Sequence, residues 1–457
     1  MFDPPEQRRD ALRTDLYQLT MAAAMHRAGF DHEASFELFT RRLTGDRGFW
    51  LACGLELALD YLEGLRFHGE DLDYLRTVPG LGEQTDFLER LRELRFTGGV
   101  WAIPEGTPTF PWEPLLRLTG PALEVQLVET YLLSLINFQT LIATKAARVR
   151  EACRGKSFVD FGTRRAHGPE AGELVARASY IAGAAGTSNV EAGRRLGIPV
   201  IGTFAHAWVM SFADEAEAFR RYAEAFPKHT TLLIDTYDTV AAARRIAAEG
   251  LVCQAVRLDS GDLLELSLEV RRVFDQGGRE EIQIVASNDL NELKIEELER
   301  RGCAIDLYGV GTELATSKDL PALGGVYKIV ETRHGDEVRY PMKLSQDKRS
   351  WPGRKQVFRR GAPGGPLESD LIALADEPAP PGSEPLLEPV LRAGRRLRPA
   401  PPLEALRERC TAELGRLPAG VRRLTQPQSF PVDRSDALVA LADRIQAEVE
   451  ARERSRL

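Results

Sequence analysis

Cysteine is scarce in this 457-residue chain: five residues (Cys53, Cys153, Cys253, Cys303 and Cys410), widely scattered and with no C-x-x-C pair. That spacing offers neither a structural zinc site nor a disulfide framework, and it fits a reducing, cytoplasmic setting. Positive charge is not in excess either. Lys and Arg number 60 against 68 Asp and Glu, a net charge of −8. With a pI near 5.6, this argues against nucleic acid as a partner, since that needs a basic stripe. Long apolar runs are missing as well. The most oily stretch, "YLLSLINFQTLIATKAARV", is interrupted by Ser, Asn, Gln, Thr and Lys, so no membrane span is expected. The opening "MFDPPEQRRDALRTD" has no apolar core of signal-peptide type. No G-x-G-x-x-G follows the first strand of the central region, which weakens a dinucleotide-binding sheet. No G-x-S-x-G elbow marks a serine hydrolase, and no close carboxylate pair with sugar-stacking aromatics marks a glycosidase.

What is present is an ordinary globular balance, 43% hydrophobic and 28% charged, on a chain long enough for two or three domains. Residues 1–130 mix helical patterns with short extended runs such as "SFELFTRRL" and "GVWAIPEG", which fits an α+β domain. From 131 to 330, short oily runs recur: 157–162, 199–204, 231–236, 254–260, 282–287, 305–311 and 324–330, with a further short element near Ala184–Gly186. Helical stretches separate them. One, "DEAEAFRRYAEAF", keeps Phe212, Ala216, Phe219, Ala223 and Phe226 on one face. Repeated βα units predict parallel strands in a closed or nearly closed barrel. Residues 331–457 turn basic, then Pro/Gly-rich; 361–386 reads as a linker, followed by two amphipathic helices.

Catalytic groups of such barrels sit beyond the C-terminal strand ends. Here those ends read "DFGTRRAHG", "GTSNV", "GTFAH", "IDTYDT", "RLDSGD", "ASND" and "YGVGT". Polar residues and glycines crowd there while the strands stay apolar, which predicts an active site at this rim. Arg164, Arg165 and Arg257 can fork onto carboxylate or phosphate, or bridge neighbouring Asp. Gly309, Gly311 and Thr312 can let backbone N–H groups and a hydroxyl approach phosphate, or form a plain turn. Asp235, Asp259 and Asp262 can hold Mg²⁺ or sugar hydroxyls, or cap the helices that follow. His206 lies among Phe204, Ala205, Ala207 and Trp208, between a strand pattern and a helix pattern, so its position makes it a site residue. The set implies a ligand with phosphates, hydroxyls and a separate carboxylate.

Ordered blocks across most of the chain resemble the nicotinate phosphoribosyltransferases: "LRTDLYQLTMAAAMHRAG", "DFGTRRAHG", "GTSNVEAGRRLGIPVIGTFAHAWV", "VRLDSGDL", "YGVGTELATS" and "PMKLSQDKRSWPGRKQVFR" (341–359). The resemblance implies an irregular seven-stranded α/β barrel, an N-terminal α/β-sandwich, a helical C-terminal region packing on it, and a homodimer. It implies transfer of phosphoribose from 5-phosphoribosyl 1-pyrophosphate (PRPP) to nicotinate, with Mg²⁺, in NAD salvage. ATP would be a co-substrate, its hydrolysis coupled through a phosphohistidine at His206. Tyr17, Thr203, Arg257 and Arg164 would contact nicotinate, Tyr17 entering from the partner subunit. Arg165, Gly309, Gly311, Thr312, Asp259, Ser287 and Asn288 would contact PRPP, and Asp235 with Asp259 would be the candidates for Mg²⁺. Relatives that use nicotinamide carry Asp where this chain has Ser188, and a carboxylate there would repel nicotinate. A nicotinamide or quinolinate enzyme, and a nucleotide-binding module without turnover, are the other readings.

Overall fold

The computed structural model describes residues 10–343, 350–362 and 364–454; the rest of the N-terminal opening and residues 344–349 of the 341–359 block lie outside them. The chain divides into two units, 1–141 with 322–457 and, between these in sequence, 142–321. The sequence pattern placed the divisions at 130 and 330 instead.

In its N-terminal part the first unit carries β1 (Glu33–Thr40), β2 (Trp50–Leu51), β3 (Gly99–Ala102), β4 (Pro108–Thr109) and β5 (Pro114–Pro121). The second unit carries β6 (Ser157–Asp160), β7 (Thr231–Leu233), β8 (Ala255–Leu258), β9 (Gln283–Ala286) and β10 (Leu307–Val310). Back in the first unit come β11 (Gly325–His334), β12 (Glu337–Arg339), β13 (Lys355–Gly361), β14 (Leu367–Leu374), β15 (Ser383–Pro385), β16 (Glu388–Arg392), β17 (Arg395–Arg396) and β18 (Val432–Arg434).

The first unit is built on a seven-stranded sheet ordered β12-β11-β1-β5-β3-β16-β17 and a four-stranded sheet ordered β15-β13-β14-β18. Two features depart from the sequence expectation. The run 324–330 is not a seventh parallel strand: it lies in β11, antiparallel to β1. An oily run reports burial but not its partner's direction. Residues 361–386 are not a linker, and the C-terminal region is not purely helical. β14, with Leu367, Ile372 and Ala373 buried, pairs with β13 inside that stretch. Ion pairs are buried here. Lys355 Nζ lies 2.9 Å from a carboxylate oxygen of Glu37, and Arg359 Nη2 lies 2.6 Å from one of Asp370.

The second unit is a parallel sheet ordered β6-β10-β9-β8-β7. Its short strands end on Asp160, Leu233, Leu258, Ala286 and Val310, all buried, as sheets covered on both faces require. Single parallel bridges, Asp160 to Thr187 and Thr187 to Val200, extend it beyond β6. The elements expected at 184–186 and 199–204 are therefore lone bridges rather than strands, and backbone pairing closes no barrel among the described residues. The two edges are joined by a side chain: Thr203 Oγ1 donates to the Thr231 carbonyl at 2.8 Å. Helices follow the strands, and Asn189, Asp214, Asp238, Asp262 and Asn291 cap them by accepting N–H groups of the first turn. No helix among the described residues is long and apolar enough to cross a membrane, and the five cysteines are free and buried.

Candidate active site

The C-terminal ends of the parallel strands open into a cavity of about 480 Å³. Each strand delivers its polar group because the chain leaves the sheet there. After β6, Phe161 and Gly162 lead into a single turn, Thr163–Arg165, that presents Arg164 and Arg165 to the cavity. Arg257 and Asp259 come from the end of β8, Ser287, Asn288 and Asp289 from the end of β9, and Gly309, Gly311 and Thr312 from the end of β10. Ser188 and Thr203 complete the wall from the two bridged segments. Asn288 and Asp289 hold φ of 91° and 42°, a left-handed stretch that costs about 1–3 kcal/mol per residue and is kept mainly where a site needs it.

Arg257 is 13% exposed and its Nε has no hydrogen-bond partner. Its Nη2 lies 3.5 Å from Asp259, and Nη1 donates to the Phe204 carbonyl at 3.5 Å. Burial lowers the pKa of its guanidinium, Asp259 and Asp235 oppose that, and the positive charge of Arg164 adds to it. Three guanidinium groups facing one cavity, one of them incompletely paired, suit an anion.

On the margin of the cavity a hydrogen-bonded set surrounds His206. Asp235 is 2% exposed; its Oδ2 accepts from the Asp259 N–H at 2.9 Å and the Ser260 hydroxyl at 2.6 Å. Ser287 donates to Asp259 Oδ1. The other two oxygens, Asp235 Oδ1 and Asp259 Oδ2, lie 4.0 and 3.8 Å from His206 Nε2, and Asp235 Oδ1 is buried without a hydrogen-bond partner. His206 Nδ1 lies 3.2 Å from the Thr236 hydroxyl. His206 opens a short helix of its own, His206–Met210, rather than lying between a strand and the next helix. Phe204 packs edge-on to Tyr222, and Trp208 Nε1 donates to the Ala218 carbonyl at 3.1 Å, which anchors the chain on both sides of the imidazole. Ala216 and Phe219 of the following helix are buried as expected, but Phe226 is exposed.

Residues 12–137, 156–329 and 381–442 match, in turn, the nicotinate phosphoribosyltransferase (NAPRTase) N-terminal domain, the nicotinate phosphoribosyltransferase (NAPRTase) family and the nicotinate phosphoribosyltransferase C-terminal domain. A nicotinate phosphoribosyltransferase of Mycobacterium tuberculosis is 44% identical over 445 residues, 95% of this chain and 94% of its own length. The chain belongs to the nicotinate phosphoribosyltransferase family. The human family member is 35% identical across 96% of this chain and 98% of its own. The crystal structure of human nicotinic acid phosphoribosyltransferase superposes with a TM-score of 0.83 at 33% identity, covering 94% of this chain and 99% of that one.

Of the residues that the family's motifs single out, the cavity gathers Arg164, Arg165, Thr203, Arg257, Asp259, Ser287, Asn288, Gly309, Gly311 and Thr312. His206 and Asp235 stand at its margin through Asp259. Tyr17 does not join them: it lies in the first unit, 47% exposed on the helix Leu16–Arg27 beside exposed Leu16 and Met21. Two expectations change meaning. Asp262 is a helix cap, accepting from the Leu264 and Glu265 N–H groups. Gly309 is small for a packing reason as well, since a Cβ there would come within 2.4 Å of the Phe161 ring.

Sequence reasoning passed over Asp160. It is fully buried, accepts from the Thr187 hydroxyl at 2.7 Å and the Gly162 N–H at 2.8 Å, and its carbonyl accepts the Ser188 N–H at 2.8 Å. It thus ties the arginine turn to the Ser188 segment. Burial raises its pKa to about 6, against the two hydrogen bonds that lower it. The available signal was an acid closing the oily run "SFVD".

Proposed function

We propose that this chain is a nicotinate phosphoribosyltransferase that joins nicotinate to PRPP, releasing pyrophosphate and nicotinate mononucleotide in cytoplasmic NAD salvage. The observation that carries the reading is the convergence of Arg164, Arg165 and the underpaired Arg257 with the Gly309–Thr312 turn on one cavity, in a chain of this family. Arg257 offers a fork for the nicotinate carboxylate. Ser188 lines the same wall and places no negative charge against that carboxylate, which favours nicotinate over nicotinamide. Arg164 and Arg165 both face the anionic substrates, and Gly311 and Thr312 suit a phosphate. Pyridine nitrogen is already a nucleophile, so the protein's task is orientation together with stabilisation of the negative charge that develops on the departing pyrophosphate.

Asp235 Oδ1 and Asp259 Oδ2, hard oxygen donors left over by the internal hydrogen bonds, fit Mg²⁺. When bound, the ion would neutralise phosphate charge. His206 is the energy-coupling residue. In the tautomer whose Nδ1–H donates to the Thr236 hydroxyl, the Nε2 lone pair would attack the γ-phosphorus of ATP and displace ADP. Tyr17, exposed on its helix, enters the site of a second copy, so the working enzyme is a homodimer.

Purified protein incubated with PRPP, Mg²⁺ and either nicotinate or nicotinamide, with and without ATP, tests the reading. Nicotinate mononucleotide should form, faster with ATP; its absence from every mixture rejects the activity. His206→Ala should lose both acid-labile phosphate from ATP and the ATP stimulation. Stimulation that persists in that variant rejects the coupling role.

A further inference from the structure

A second cluster of metal-ligating groups lies in the first unit, which the proposed reaction does not use. Asp31 and His32 precede β1, and His334 ends β11. The antiparallel register pairs Glu33 with Arg333, so the side chains just beyond that pair meet at one end of the ladder. Asp31 Oδ1 lies 3.8 Å from His32 Nδ1 and 3.6 Å from His334 Nδ1, and one ligand atom from each of the three residues falls within 4.8 Å of the others. The arrangement is held from below: the Phe30 ring stacks on His32 with centroids 4.1 Å apart and planes 11° apart, and the His334 ring centre is 4.3 Å from that of His32.

The geometry fits a cation better than three independent surface groups. Bonds of about 2.0–2.1 Å in a tetrahedral site put neighbouring ligand atoms roughly 3.4 Å apart, close to the two Asp31 separations. His32 Nδ1 is buried without a hydrogen-bond partner, an unsatisfied lone pair or N–H that has a cost wherever water cannot reach it. Two imidazoles at this spacing would repel each other if both were protonated, whereas one shared cation uses both as neutral ligands. Charges nearby are mixed. Glu337 pairs with His334 across the β11–β12 register, and Arg339 and Arg333 flank it. Arg339 chiefly, and the two histidines to a lesser degree, hold the Glu337 carboxyl below its ordinary range. Arg90 and Asp31 line one small cavity.

We propose that Asp31, His32 and His334 form a binding site for a borderline divalent transition cation such as Zn²⁺, one that clips the end of β11 to the chain entering β1. Two imidazoles and one carboxylate select such an ion over Mg²⁺ or Ca²⁺, which prefer all-oxygen shells. Three protein ligands leave a coordination position for water. The site is separate from the reaction, so it stands or falls independently of the catalytic reading.

The test uses full-length protein free of any histidine tag, titrated with Co²⁺ and followed by the visible d–d absorption of a tetrahedral ion. One equivalent should bind with that spectrum and be displaced by Zn²⁺. His334→Gln and His32→Gln should each weaken binding at least about tenfold, the size that outer-shell losses alone can reach. Saturating Zn²⁺ should raise the thermal midpoint of the parent protein but not of His334→Gln. No absorption change in the parent protein, or equal affinity and stoichiometry in His334→Gln, overturns the proposal and leaves Asp31 as a carboxylate shared between two imidazoles.

Discussion

Replacing Asp160 by Asn separates its charge from its shape. Both oxygens are engaged, one by the Gly162 N–H and one by the Thr187 hydroxyl. Asn can keep the first contact through its oxygen and donate to Thr187 through its NH₂, because a hydroxyl also accepts. The variant therefore imitates the protonated acid. The native carboxyl titrates at about 6 against a reference of 3.8, so the folded state binds the proton more tightly than the unfolded chain. This contribution is greatest below the unfolded value and is lost as pH rises through about 6. The full shift, 6 − 3.8, corresponds to roughly 3 kcal/mol at 1.36 kcal/mol per pH unit, of which about 2 kcal/mol falls between about pH 4.5 and 7.5. Other groups also make stability depend on pH, so the quantity to follow is the difference between the two proteins. Calorimetry across that range should show Asp160→Asn gaining on the parent protein by about 2 kcal/mol, or roughly 4–8 °C in the transition of a unit of this size. A pH-independent difference would refute the claim that a buried, desolvated carboxylate ties the arginine turn to the Ser188 segment.

Three further outcomes follow from the cavity. Arg257→Lys keeps the charge but not the fork, and should raise the KM for nicotinate by about 10–100-fold, a loss of roughly 1.5–3 kcal/mol; steady-state kinetics read it directly. Gly309→Ala drives a Cβ into the Phe161 ring and should cost about 1–3 kcal/mol in chemical denaturation, since overpacking is felt throughout a dense interior. Ser188→Asp should lower kcat/KM for nicotinate while sparing or raising that for nicotinamide, through repulsion of the carboxylate; an unchanged ratio argues that Ser188 does not face the ring substituent.

Much of the reacting surface was legible because apolar strands ending in Arg, Asp, Ser, Asn and Gly mark both the sheet and its rim. The five parallel strands, and the gathering of Arg164, Arg165, Arg257, Asp259, Gly309, Gly311 and Thr312 at their ends, followed the pattern. Direction of pairing did not. β11 is oily enough to pass for a parallel strand, yet long-range partners place it against β1. β14 is hidden by the Pro and Gly on either side of it, whose turn chemistry suggested a linker. Thr187 and Val200 touch the sheet through single bridges, too little backbone to leave a periodicity, so closure was overstated. Asp262 and Asp235 look alike in sequence, and only the hydrogen bonds separate a helix cap from a site carboxylate. His334 is more than 300 residues from the adjacent Asp31 and His32 and meets them only through the β1–β11 register.

The most direct measurement follows pyrophosphate release and pyridine nucleotide formation together, with purified protein, PRPP, Mg²⁺ and ATP, on addition of nicotinate. The account predicts equal yields of pyrophosphate and nicotinate mononucleotide that depend on nicotinate and are far smaller with nicotinamide. No nicotinate-dependent release, or a preference for nicotinamide, would contradict it.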